Sequence, residues 1–380
     1  MRSFAARTCL MAGTAGVCLV HPAFAEDTSM PNMSTQSDDP LTHGQGMMPF
    51  HSAPDPAGLA GTRLHKPGQI MFTYRYMHMD MSQLADGDDD LSPKDVATMR
   101  NHNAGKPGQP LTWRSAPQNM TVDMHMFGVM AGVTDDLSVM VMLPYVTKQM
   151  EMVTFSGMTG TTELGTSKNE TSGIGDVAAS ALYRLYEDQT HHVHMQAGLS
   201  FPTGSTTEKG RMLMANGQVM EMRLPYGMQL GTGTYGLLPG LTYWGARGSW
   251  NWGAQALGQI NLGENDQGYT FGDRAFSTAW GGYSLGLGFS ISARLSQTYV
   301  GDIDGKDSRV TGPTPTADPN NYGGWNTSAG FGVNYRVADG PLMGLNPGVE
   351  VSVPLYQNVN GPQLKEAWTV FAGVRKTFTF

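Results

Sequence analysis

Trp325-Asn326-Thr327-Ser328-Ala329-Gly330-Phe331-Gly332-Val333-Asn334-Tyr335-Arg336-Val337 is the stretch that decides the fold. Its odd positions, Trp325, Thr327, Ala329, Phe331, Val333, Tyr335 and Val337, form one row. Asn326, Ser328, Gly330, Gly332, Asn334 and Arg336 form the other. A two-residue period places the rows on opposite faces of a strand. The stretch is longer than the roughly five to six residues of a soluble strand. Its polar row also lacks the Lys and Glu of a sheet face in bulk water, so it suits a strand with one face on lipid and one on a wet, confined lumen.

The same alternation recurs. In Trp250 to Leu262 the even positions Trp250, Trp252, Ala254, Ala256, Ile260 and Leu262 oppose Asn251, Gln255, Gln259 and Asn261. In Leu137 to Tyr145 the odd positions are all apolar. About twelve such segments follow one another, near 70–81, 119–133, 137–152, 171–187, 191–204, 228–244, 250–262, 275–288, 290–302, 321–337, 346–359 and 366–380. Twelve is even, as a single-chain bacterial barrel requires. Short connectors such as Thr134-Asp135-Asp136 and Asp188-Gln189-Thr190 fall on one side, and long ones, near 82–118, 153–170 and 205–227 among others, on the other. Closure removes the sheet edges whose backbone groups lipid cannot satisfy. The sequence therefore predicts an all-β, antiparallel transmembrane β-barrel over residues 69–380.

Composition agrees. Charged residues are 15% of the chain, against roughly 25% in soluble domains. No apolar run after residue 25 reaches the roughly 18 residues of a spanning helix, which excludes helical transporters. The net charge of −8 argues against a nucleic-acid partner.

Arg2 and Arg7, the apolar run Cys9 to Val20 and the triplet Ala23-Phe24-Ala25 read as a signal peptide over residues 1–25. Both of the chain's cysteines lie there, so the exported chain carries no thiol. Without Arg2 and Arg7 the balance is 22 basic to 32 acidic residues, a net −10. Residues 26–68, rich in Met, His, Pro and Gly, read as a disordered periplasmic extension. Export and a barrel together predict the outer membrane of a Gram-negative cell, with its lipids as partner.

The last segment carries Trp368, Val370, Ala372, Val374, Phe378 and Phe380 in one row. The terminal Phe380 resembles the signal read by the outer-membrane barrel assembly machinery. Ser172-Gly173-Ile174-Gly175-Asp176-Val177, Tyr183-Arg184, Leu199-Ser200-Phe201-Pro202-Thr203-Gly204 and Trp280-Gly281-Gly282-Tyr283 together resemble the family known as meta-pathway phenol-degradation outer-membrane proteins. The resemblance runs from about Ile70 to the end. It implies a porin-like outer-membrane barrel that passes small solutes, aromatic compounds among them, with no catalytic residues to carry over.

Twenty-seven methionines are the feature this family picture leaves unexplained. With Phe127, Val129, Ala131 and Val133 on lipid, Met120, Met124, Met126 and Met130 point inward. Met140, Met142, Met150 and Met152 do so on the next segment, and Met71, Met77, Met79 and Met81 on the first. His192 and His194 share the inward row of the fifth. Thioether sulfur selects copper(I) and imidazole suits copper in either state. Met77, Met79, Met81, Met120, Met124, Met126, Met140, Met142, His192 and His194 are accordingly candidate transient copper(I) contacts, with no cofactor required. The alternative is that methionine fills the lumen with adaptable apolar bulk. Met212, Met214, Met220 and Met222 flank Ala215-Asn216-Gly217-Gln218, the mark of an extended hairpin.

Arg75, Asp176, Arg184, Arg294, Arg336, Glu350 and Arg375 are the inward charges. They read either as an internal ion-pair network or as a ring with weak anion preference. No nucleophile elbow stands in a convincing context, and of His191-His192-Val193-His194 only two members share a face, so a non-enzymatic role follows. Three roles stay open: a small-solute channel, a copper-handling barrel, and a plugged barrel that displays its loops.

Overall fold

The computed structural model describes residues 53–106 and 109–380. The expected signal peptide and residues 26–52 of the expected extension lie outside the described residues. Eleven strands close a barrel. They are β1 Gln69–Gly87, β2 Ser115–Gly132, β3 Leu137–Phe155, β4 Val177–Glu187, β5 His191–Phe201, β6 Gly240–Arg247, β7 Trp250–Leu262, β8 Arg274–Gly286, β9 Phe289–Val300, β10 Gly324–Tyr335 and β11 Asn346–Thr379. Each pairs antiparallel with its chain neighbours, and β11 returns to β1, Gln69 opposite Thr379. Three more strands, Asp89–Leu91, Glu163–Ile174 and Tyr235–Leu237, bond to the wall outside this ring.

At 34 residues, β11 would run about 110 Å if straight. It instead pairs with β10 through 348–359 and with β1 mainly through 363–379. Gly361 has φ +72 at the reversal. Gln357 and Glu366 face each other across it, each side-chain amide atom of Gln357 bonding the Glu366 backbone at 2.9 Å. The wall thus has twelve passes, as the periodicity predicts.

Two expected segments are interrupted. Segment 171–187 breaks at Gly175-Asp176, because the Asp176 carboxylate turns to accept from the amides of Gly204 (3.0 Å) and Thr232 (2.7 Å). Segment 228–244 breaks at Leu238-Pro239, since proline cannot donate to a ladder. Segment 250–262 matches β7 end for end.

The outward rows carry the apolar belt, with Phe127, Val129, Val139, Val141, Leu143, Ile291 and Val333 all exposed. Ring pairs bound it. Trp250–Tyr283 and Phe289–Tyr335, each 4.7 Å apart, stand at the short-turn end, and Tyr299–Trp325 at the long-loop end. Above the latter level the outward row turns polar, where His78 Nδ1 meets Asp123 Oδ1 at 2.8 Å. Such a belt on a closed barrel faces lipid.

Candidate functional site

Chain packs into both ends of the lumen, an occupancy the sequence left open in its plugged-barrel alternative. Residues 53–66, placed by sequence in a free extension, lie inside the barrel. Their carbonyls and amides are claimed by inward side chains of five strands. Asn251 donates to the Ala53 carbonyl at 2.9 Å, Gln255 to Ala60 at 3.1 Å, His194 Nε2 meets Gly61 at 2.9 Å, and the Gly58 amide donates to Glu350 Oε2 at 3.0 Å. Arg75 donates to Leu59 at 2.5 Å, Arg375 to the Asp55 carbonyl at 3.1 Å, and His65 N to Ser138 Oγ at 2.9 Å. Ser138 and Asn251 sit beside short turns and Glu350 lies at the same end of the barrel, so this plug fills the periplasmic end. Gly58 brings the plug backbone close against the wall. A Cβ on Gly58 would stand 2.8 Å from Arg294 Nη2 and from Glu350 Oε1.

Asp55 organises the plug itself, its ion-pair and hydroxyl partners lying within residues 53–66, and it meets the wall where Asn251 Nδ2 donates to its Oδ1 at 3.1 Å. It is 1% exposed, accepts from Arg63 Nε at 2.7 Å and Nη2 at 2.8 Å, and from Thr62 at 2.8 Å. Burial pushes its pKa up, but the charges of Arg63 and Arg375 and the hydrogen bonds outweigh that and bring it down to about 2. Arg63 in turn lies 4.2 Å over the Trp244 ring, which stacks on His192 at 3.7 Å.

The charges expected in the lumen mostly hold this plug or the wall. Arg294 Nε bonds Glu350 at 2.8 Å in a buried pair. Arg184 ties the turn residues Asp136 and Glu187, and Asp176 holds the loops named above. Arg336 is half-buried on the inward row of β10 as it leaves the strand. Arg294 and Arg184 are thus ion-paired, while Arg75 and Arg375 donate to plug carbonyls.

At the other end the long loops fold over the mouth. The helix α1, Pro93–Thr98, opens with a capping box between Ser92 and Asp95 and buries Val96 and Ala97. They join Leu84, Trp113, Phe155, Leu224 and Leu364 in one core. The predicted hairpin forms as Lys209–Leu213 with Val219–Arg223, and Met212 opposes Met220. Met120, Met150, Met152, Met212 and Met228 are buried in this cap, with Met81 packed against it.

Between plug and cap runs a methionine wall. Register places Met71, Met130 and Met140 side by side at the plug, then Met126 beside Arg75, Met77 beside Met124, and Met81, Met120 and Met150 in line at the cap. Met140 reaches the plug itself, its methyl 3.5 Å from where a Gly61 Cβ would stand. Met77, Met79, Met124, Met126, Met140 and Met142 are only partly buried. The opposite wall is polar, with Ser200, Gln255, Thr278, Ser296 and Ser352 buried on inward rows. Of the two candidate histidines, His192 lies on Trp244 and His194 on the plug, both at the periplasmic end. Among the described residues no group of three or more His, Cys, Asp or Glu side chains forms a metal cluster.

No family model matches the sequence, and no curated protein does. Solved structures do resemble the fold. An outer-membrane channel from Pseudomonas putida F1 superposes with a TM-score of 0.52 at 13% identity, covering 86% of this chain and all of the channel. The P. putida toluene transporter TodX gives 0.42 at 11% identity, covering 83% and 93%. A Pseudomonas aeruginosa FadL homologue gives 0.39 at 10%, covering 82% and 90%. The closed barrel, its apolar belt and the first of these likenesses establish an outer-membrane β-barrel.

Proposed function

We propose that this chain is an outer-membrane channel for small hydrophobic solutes, aromatic compounds among them, shut at rest by residues 53–66. The observation that carries this reading is the concentration of methionines on the inward rows of β1 to β3 between plug and cap. A polarisable, unbranched side chain packs well against aromatic rings and adapts to different shapes, and the polar opposite wall can satisfy a hydroxyl. The first likeness, to a bacterial channel, supports a conduit in preference to a catalyst.

Proteoliposomes test it. Entry of toluene and phenol is expected to exceed that of glucose, and more so in a chain whose plug is released. Glucose entering faster than either aromatic would overturn the reading. The same methionines favour a second one, passage of cuprous ion. Copper-dependent block that vanishes when Met124, Met126, Met140 and Met142 become leucine would support it, and unchanged behaviour would remove it.

A further inference from the structure

On the lipid side of β7 to β11 the belt is hollowed. Gly281, Ala293, Phe331 and Val351 are register partners across four strands. The first two leave a floor while Phe331, 64% exposed, and Val351 stand up beside it. Tyr283 and Ile291 continue the rim, and Trp250 closes the periplasmic end. The hollow measures about 770 Å³, within the roughly 300–1,000 Å³ of small-molecule sites. A Cβ on Gly281 would meet nothing within 4 Å, so the depth comes from the missing side chain. The belt over β1 to β3 has no such floor, its outward row being Phe72, Phe127, Val129, Val139 and Val141.

Arg247 supplies the second half. It is the register partner of Trp250, which pairs with Tyr283, and it shares the outward row with Leu241 and Tyr243. It is exposed, at the short-turn end where phosphates of the periplasmic leaflet lie. A void on a lipid-facing wall cannot be dry without losing dispersion contacts, and water there lacks partners. We infer that this face holds one phospholipid of the periplasmic leaflet, an acyl chain along Gly281 and Ala293 and the phosphate on Arg247. The site is independent of what the lumen passes.

Native mass spectrometry of the full barrel in detergent, titrated with palmitoyl-oleoyl-phosphatidylglycerol, tests this. The unaltered chain should retain one lipid. Gly281→Phe and Ala293→Leu, which fill the hollow from outside, should lose it. Arg247→Gln should weaken retention about fivefold, the value of one cation near anionic headgroups. Val129→Ala on the opposite wall is the control and should retain the lipid. Heat-modifiable gel migration identifies which variants fold, and either filling variant suffices. Retention by a folded filling variant equal to that of the unaltered chain overturns the inference, as does a lipid-free dimer covering the face.

Discussion

Replacing Asp55 by asparagine should undock the plug while leaving the barrel closed. The change keeps the side chain's size and most of its hydrogen-bonding capacity but removes the charge that Arg63 faces at 2.7 Å. Removing one member of a buried pair costs about 3–5 kcal/mol, because the other charge stays buried alone. Arg63 keeps its contact with Trp244, so the low end applies, about 3 kcal/mol, or roughly a hundredfold in the docking equilibrium. The assay uses a background in which the two native cysteines, Cys9 and Cys18, are replaced by serine. Leu59→Cys, at a site 4% exposed, is then a single reporter. Its labelling by a thiol reagent should be about a hundred times faster with Asp55→Asn than without. Arg63→Gln should reproduce the effect, and the double variant should add little, since the two residues act as a pair. A rate ratio within about threefold would refute this role for Asp55.

Acid should act on the same group. Its pKa lies at about 2 in the folded plug, against 3.8 for a free carboxylate, so the buried carboxylate contributes about 2 kcal/mol to the folded state. That contribution is complete above pH 4 and is lost as pH falls through 2. Pepsin cleavage of the plug should therefore rise between pH 4 and 2, and Asp55→Asn should flatten the profile. Gly58→Val should expel the plug sterically, its Cβ lying 2.8 Å from Arg294 and Glu350, and raise aromatic uptake without lowering the barrel's melting temperature. Val141→Arg, at a lipid-facing site 48% exposed, should cost about 2–4 kcal/mol of barrel stability, read by urea unfolding in lipid. Met126→Leu with Met142→Leu should each cost less than about 1.5 kcal/mol, leaving stability nearly intact for any transport assay.

The barrel was legible because alternation is a local property of each strand. Trp250–Leu262 shows it without a break, and the structure matches that segment end for end. Where a single side chain overrides the period, as Asp176 and Pro239 do, the sequence shows a continuous segment and the structure an interruption. Lumenal facing of the methionines was equally legible, since parity fixes it. What they touch was not, because β2 and β3 run past the belt into a cap assembled from loops far apart in sequence. The plug was missed for a related reason. Residues 53–66 are small and aperiodic, and their partners are scattered from Arg75 to Arg375. The one available signal was Asp55, flanked by Pro54 and Pro56, with Arg63 in a run whose only other charge is Lys66 at its end.

How such a barrel opens follows from what each part can give up. The wall is a closed ladder, and parting two strands would leave backbone groups unpaired in lipid at several kcal/mol each. The plug is held differently. It docks by hydrogen bonds and close glycine contacts, around an ion pair, Asp55–Arg63, internal to the plug. The methionine wall needs no rearrangement of backbone to admit a solute, since rotation about side-chain bonds suffices. Opening therefore falls to the plug, whose release exchanges paired polar groups for water, and the wall stays intact while it happens.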